Sequence, residues 1–182
     1  NIEYGGINAL VNNAAIGPLG TILDTPPDVW RKVLEVNLTG PYLSSRAVIP
    51  ELKKQGGGAI VNVGSGAGWG KPNMAAYASS KGGLVAFSSS LALDFFYDKI
   101  RVNTVIPGGG GIVAGMSLGR VSGDMEKLKA NAIGTVAGRS TTGDDLGNSV
   151  EFLLSDRAEA ISGTIVDVGC FFHQGSTSPL VK

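Results

Sequence analysis

The sequence predicts an α/β fold with a doubly wound, mostly parallel sheet, and three observations lead there. Four short apolar runs recur along the chain, at Ala9-Leu10-Val11-Asn12, Ala59 to Val63, Arg101 to Ile106 and Thr164 to Val168. Continuous apolar runs of that length read as strands buried on both faces, as parallel sheets require. Helical periodicities fill the intervals, giving the alternation of βαβ units. Polar residues and glycines follow the first three runs, where an open α/β sheet gathers its ligand-binding loops.

Taken in order, the first run ends in Asn12-Asn13-Ala14-Ala15, and a helix start follows. Thr25 can cap that helix, Pro26 suits its first position and Asp28 favours the positive end of its dipole. Val29, Val33, Val36 and Leu43 then recur at helical spacing. The second run ends in Gly64-Ser65-Gly66. A helix is expected from about Asn73 or Ala75 to Phe96, burying Leu84, Phe87, Leu91 and Phe95. The third run stops at Pro107-Gly108. Between Ile112 and Val136, Gly115, Gly119, Gly123 and Gly134 interrupt any regular pattern, which suggests a flap over a site. A last helix, Asp144 to Leu154, packs Leu146, Val150, Leu153 and Leu154 and leads to the fourth run.

The 182 residues, 43 % of them hydrophobic, suit a single domain over 1–182 with a sizeable core. Fifteen basic residues balance fifteen acidic ones without like-charge runs, so nothing points to nucleic acid or a membrane surface. A small molecule is the expected partner. The single Cys170 excludes an internal disulfide and a cysteine-based metal cluster, no apolar stretch approaches membrane-spanning length, and the chain reads as cytoplasmic. Glycine, at 28 residues, is about twice its usual share and clusters at strand exits.

The chemistry-bearing residues fall at the predicted strand ends. Tyr77 and Lys81 stand four apart in the first turns of a helix, so both side chains share one face. An ammonium about 5 Å away stabilises a phenolate by roughly 3 kcal/mol at an effective dielectric near 20. That is most of the roughly 4 kcal/mol separating a phenol that titrates near 10 from one near 7. The ordered set is more specific than this pair alone. It runs Asn12-Asn13-Ala14-Ala15, Asn37-Leu38-Thr39-Gly40, Ile60 to Ser65, Tyr77-Ala78-Ser79-Ser80-Lys81, and Arg101-Val102-Asn103 with Pro107-Gly108.

In that order and spacing the chain closely resembles the short-chain dehydrogenase/reductase family over nearly its whole length. The resemblance implies a Rossmann-like fold and an oxidoreductase passing hydride between NAD or NADP and a secondary alcohol or ketone. It implies Tyr77 as general acid/base, Lys81 on the phenol and the nicotinamide ribose, and Ser65 orienting the substrate oxygen. Asn37 would hold a water linking Lys81 to solvent. Asn12 and Ala14 would line the cofactor cleft, with Pro107, Gly108 and Ile112 near the nicotinamide. The long helix carrying Tyr77 implies a homo-oligomer, dimer or tetramer.

Several positions keep a plainer reading. Asn12 and Asn13 could tie neighbouring strands through their amides, and for Asn13 that is the expected role. Trp69, Met74 and Met116 suit a substrate pocket or the core equally. His173 sits in a Gly/Ser/Pro-rich tail, and Cys170 reads as a small buried hydrophobe. Pro41 follows Asn37 by four residues, so it brings no N–H to that carbonyl. A kink at Pro41 that offers the Asn37 carbonyl to the relay water is the expectation.

The chain departs from the family in three places. The N-terminal Gly-rich turn that binds the pyrophosphate is absent, together with the residue that selects NAD or NADP. The sequence therefore reads as the later part of a longer, N-terminally truncated domain, with the strand at Ala9 left as an edge and dinucleotide binding weak in this chain alone. Ala114 stands where a carboxamide-binding threonine is usual, and Val168-Gly169-Cys170 where Asp-Gly-Gly is usual. Lys81 argues against a dehalogenase on the same scaffold, and the Tyr to Lys spacing against an enoyl reductase. The competing class is a catalytically incompetent fragment or binding subunit that keeps the fold.

Overall fold

The computed structural model describes residues 5–107, 112, 115–127 and 135–169. Four parallel strands, β1 (Ala9–Asn12), β2 (Gly58–Val63), β3 (Ile100–Ile106) and β4 (Ile165–Asp167), lie side by side in that order. Asn12 pairs with Asn62 and Val63 with Val105, which brings the carboxyl ends of the first three strands to one rim. β1 is the edge strand of the described sheet, and Val11 is exposed on it.

Helices α1 (Pro27–Leu34), α2 (Gly40–Lys54) and α3 (Ala75–Asp94) precede β2 and β3; α4 (Gly115–Gly119) and α5 (Gly143–Leu154) follow β3. Alternate residues of β2 and β3 feed two cores. On one face Ile60, Ile100 and Val102 bury against Ile49 and Leu52 of α2 and Leu91 and Ala92 of α3. On the other, Val61 and Val105 bury against Leu153 of α5 and Ala158. Helices on both faces make the fold doubly wound, as the apolar runs require.

Local chemistry moves some boundaries. Pro26 is the N-cap of α1 and Pro27 its first residue, while the Thr25 hydroxyl turns back to the Thr21 carbonyl instead of capping. The helical path from Pro27 to Lys54 is continuous, and at Glu35–Thr39 it passes through one π turn in which the Gly40 N–H reaches the Glu35 carbonyl. In place of the kink expected at Pro41, the structure has a π turn just before it and no break in the helix. The wider turn gives the proline ring room over the carbonyl four residues back. α5 begins with a capping box, Thr142 with Asp145, braced by two bonds from Arg139 to the Asp145 carboxylate. That pairing holds the Asp145 carboxyl far below the usual carboxylate range.

Arg101 and Asn103 orient the β3 to β4 connection. The Arg101 guanidinium donates to the Leu153 and Ser155 carbonyls at the end of α5. The Asn103 amide donates to the Ile161 carbonyl and accepts from the Thr164 N–H.

Candidate active site

The site lies at the rim formed by the ends of β1, β2 and β3. α3 starts beside that rim because Pro72-Asn73 breaks the preceding chain, with Asn73 held at φ 58°. The Gly20 N–H, from the loop after β1, bonds to the Asn73 carbonyl, so two loops meet just ahead of Tyr77. Tyr77 and Lys81 then face inward from the first two turns of α3, both buried.

Lys81 reaches across to the end of β2, donating to the Val63 carbonyl at 2.6 Å. Its Nζ lies 5.9 Å from the centroid of the Tyr77 ring. Desolvation pushes this ammonium down from 10.5 to about 8, so it is still mostly protonated at neutral pH. One of its three donors is used by Val63, which leaves donors for a hydroxyl-bearing ligand.

Ser65 follows β2 after Gly64 and caps the 3-10 turn Gly66–Trp69, its hydroxyl accepting from the Ala67 N–H. That turn is pressed onto α3 through glycine. A Cβ on Gly68 would sit 3.0 Å from the Gly82 nitrogen, and one on Gly82 would sit 2.9 Å from the Gly68 carbonyl oxygen. Two facing glycines thus set how near the Ser65 turn comes to the helix bearing Tyr77 and Lys81.

Asn37, fully buried in the π turn, uses its whole amide. Oδ1 accepts from the Ile16 N–H at 2.9 Å, and Nδ2 donates to the Ile16 carbonyl at 2.8 Å and to Ser80 Oγ at 3.0 Å. Ser80 in turn donates to the Tyr77 carbonyl. The side chain therefore clasps the loop after β1 to the start of α3. Sequence reading gave Asn37 a water-holding role and missed this clamp.

Asn12 is similarly committed. Nδ2 donates to Asn62 Oδ1 at 2.7 Å, Oδ1 accepts from Ser44 at 2.6 Å, and Asn62 continues the chain to Ser88. Asn12 thus makes the inter-strand tie expected of Asn13, which is exposed and lines an open cleft of about 260 Å³ with Ala14, Pro41 and Ser44. Pro107 ends β3 at the rim and Ile112 is half-buried, while Gly108, Ala114, Cys170 and His173 lie outside the described residues.

Arg120 was not singled out from the sequence. It follows α4, within the expected flap, and stands over the Tyr77 ring with Cζ 5.1 Å from the centroid. Nε and Nη2 donate to the Gly17 carbonyl at 3.3 and 3.0 Å. Gly17 leaves the space for this: a Cβ there would collide with the guanidinium and lie 2.8 Å from Met116 Sδ and 3.0 Å from Tyr77 Cδ2. Met116 therefore touches the site. Among the described residues no group of three or more His, Cys, Asp or Glu could hold a metal, and no helix is long and apolar enough to cross a membrane.

Residues 2–170 match the family described as enoyl-(acyl carrier protein) reductase. The chain is 36 % identical over 169 residues to the inactive 2-(S)-hydroxypropyl-CoM dehydrogenase 2 of Xanthobacter autotrophicus, covering 90 % of this chain and 72 % of that protein. It is also 36 % identical over 169 residues to human dehydrogenase/reductase SDR family member 4, covering 91 % of this chain and 59 % of that one. A solved NAD+-bound xylitol dehydrogenase superposes with a TM-score of 0.80 at 30 % identity, over 91 % of this chain and 69 % of that one. Across the curated relatives named here and a Thermotoga maritima oxidoreductase, the chain spans between 41 % and 72 % of their lengths.

Proposed function

This chain belongs to the short-chain dehydrogenase/reductase family, and we propose that it forms the proton-handling part of a nicotinamide-dependent oxidoreductase acting on secondary alcohols and ketones. The observation that carries the reading is a buried ammonium, Lys81, beside a buried phenol, Tyr77, at the rim of the parallel sheet. In reduction the substrate carbonyl carbon gains hydride while its oxygen takes the Tyr77 proton; in oxidation both transfers reverse. Lys81 favours the phenolate that is left, because an ammonium in a poorly solvated site interacts strongly with a developing anion. Ser65, at the end of β2, would orient the substrate oxygen. The Asn37 carbonyl, which Pro41 leaves without a donor four residues on, would hold the water that returns protons to Lys81.

The donor set at the rim fits the nicotinamide half of the cofactor. Lys81 has free donors for ribose hydroxyls and reaches the end of β2, Pro107 follows β3, the cleft lined by Ala14 follows β1, and Tyr77 stands one helical turn before Lys81 on α3. Asn12 would act here through the backbone, since its amide is engaged by Asn62 and Ser44. When bound, NAD or NADP supplies or accepts the hydride. Residues 1–182 would form the later part of one nucleotide-binding domain, and α3 would support a homo-oligomer.

A second reading, a subunit that keeps the fold without turnover, is favoured by the similarity to a relative whose name calls it inactive. One experiment decides. The full-length protein is offered secondary alcohols with NAD+ or NADP+, and ketones with the reduced forms, following nicotinamide absorbance. Turnover with either nucleotide supports the oxidoreductase; binding of both nucleotides without turnover across the panel supports the subunit.

A further inference from the structure

Two cations stand against one phenol. Lys81 Nζ and Arg120 Cζ lie 5.9 and 5.1 Å from the Tyr77 ring centroid, and among the described residues neither is paired with a carboxylate. Lys32, Lys53, Lys54 and Arg139 each meet an acidic side chain, whereas Arg101, like Arg120, donates to backbone carbonyls. Lys81 is accounted for by the proton site. Arg120 is not.

Packing alone does not call for a guanidinium at this place. Its partners are the Gly17 carbonyl and the Met116 thioether, neutral groups that satisfy donors without balancing the charge. Nη1 has no partner among the described residues, so part of the fork remains available. An uncompensated, half-buried arginine fork beside a reacting group is complementary to a planar anion.

We propose that Arg120 binds an anionic group of the substrate, so that the protein's substrates are hydroxy or oxo compounds bearing a carboxylate or a similar oxyanion near the reacting carbon. This rests on Tyr77 being the acid/base of the proposed oxidoreductase. With the substrate oxygen at the Tyr77 hydroxyl, an anionic substituent one or two carbons away reaches the guanidinium over the same ring. Gly17 and Met116 complete the pocket, the glycine by leaving the arginine room and the methionine by lining it with a polarizable wall.

The test uses the full-length protein and matched neutral and anionic substrates: acetoacetate with its ethyl ester, within a panel of 2- and 3-oxo acids and their esters. The wild type is expected to favour acids over esters in kcat/KM. Arg120→Met is expected to lower the acid-to-ester ratio by about 100-fold and Arg120→Lys by about tenfold, since lysine keeps the charge without the fork. Calorimetric titration with acetoacetate reads binding without turnover, and Arg120→Met is expected to weaken it at least about tenfold. A wild type that prefers esters, equal losses on acid and ester, or no acetoacetate binding would overturn the proposal. A raised KM for the nicotinamide nucleotide with an unchanged acid-to-ester ratio would assign Arg120 to the cofactor and overturn it equally. Turnover that survives Tyr77→Phe would remove Tyr77 as the acid/base instead, while the calorimetric arm would still judge Arg120.

Discussion

Gly82 of α3 and Gly68 of the turn after Ser65 meet backbone to backbone, closely enough that a Cβ on Gly82 would lie 2.9 Å from the Gly68 carbonyl oxygen. Two residues with no side-chain chemistry thus fix the distance between the elements that carry Ser65 and Tyr77. Alanine at 82 would add about 1 kcal/mol of helix propensity, but it would also force the helix and turn apart. Gly82→Ala is expected to lower kcat/KM by on the order of tenfold, since small misplacements of reacting groups are costly, without raising the thermal midpoint. Steady-state kinetics and a melting curve on the same sample check this; a stabilised variant with intact kinetics would show that the contact does not matter.

Asn37 predicts a stability effect. Asn37→Ala leaves the Ile16 N–H and carbonyl and the Ser80 hydroxyl without their buried partner. The expected loss is on the order of 3 kcal/mol, seen as a lower denaturant midpoint at unchanged slope. A loss below about 1 kcal/mol would mean that water replaces the clamp.

Lys81 predicts a pH dependence with a definite sign. Its folded pKa of about 8 lies below the 10.5 of the free side chain. Below pH 8 both states carry the proton and the folded state bears the full cost of a buried charge. Between 8 and 10.5 the unfolded state binds more protons, so stability rises with pH; above 10.5 the penalty is gone. Against Lys81→Met, which cannot titrate, the wild type should gain on the order of 3 kcal/mol between pH 7 and pH 10.5. Urea titrations of both proteins at the two pH values measure the difference. A pH-independent difference would place the ammonium in solvent.

These residues also show how far the sequence could be read. The strands were legible because a strand buried on both faces is apolar throughout, a purely local signal. Tyr77 and Lys81 were legible as a pair because helical spacing alone puts them on one face. The choice between Asn12 and Asn13 turned on one position: Asn12 shares the inward face with Leu10, whereas Asn13 lies past the last paired residue. Pro41 read as a kink because proline removes a donor, yet the helix absorbs it in a π turn. The Gly68 to Gly82 contact and the place of Arg120 over Tyr77 were not legible. The first depends on how closely two elements approach, and the second joins Arg120 to Gly17, 103 residues apart.

Tyr77→Phe asks whether the Tyr77 hydroxyl handles the substrate proton. The ring stays to pack between Arg120 and Lys81 while the hydroxyl goes. In the full-length protein nicotinamide-dependent turnover is expected to fall by about a thousandfold or more, with a thermal midpoint within a few degrees of wild type. Turnover within about tenfold of wild type, in a variant that folds normally, would contradict it.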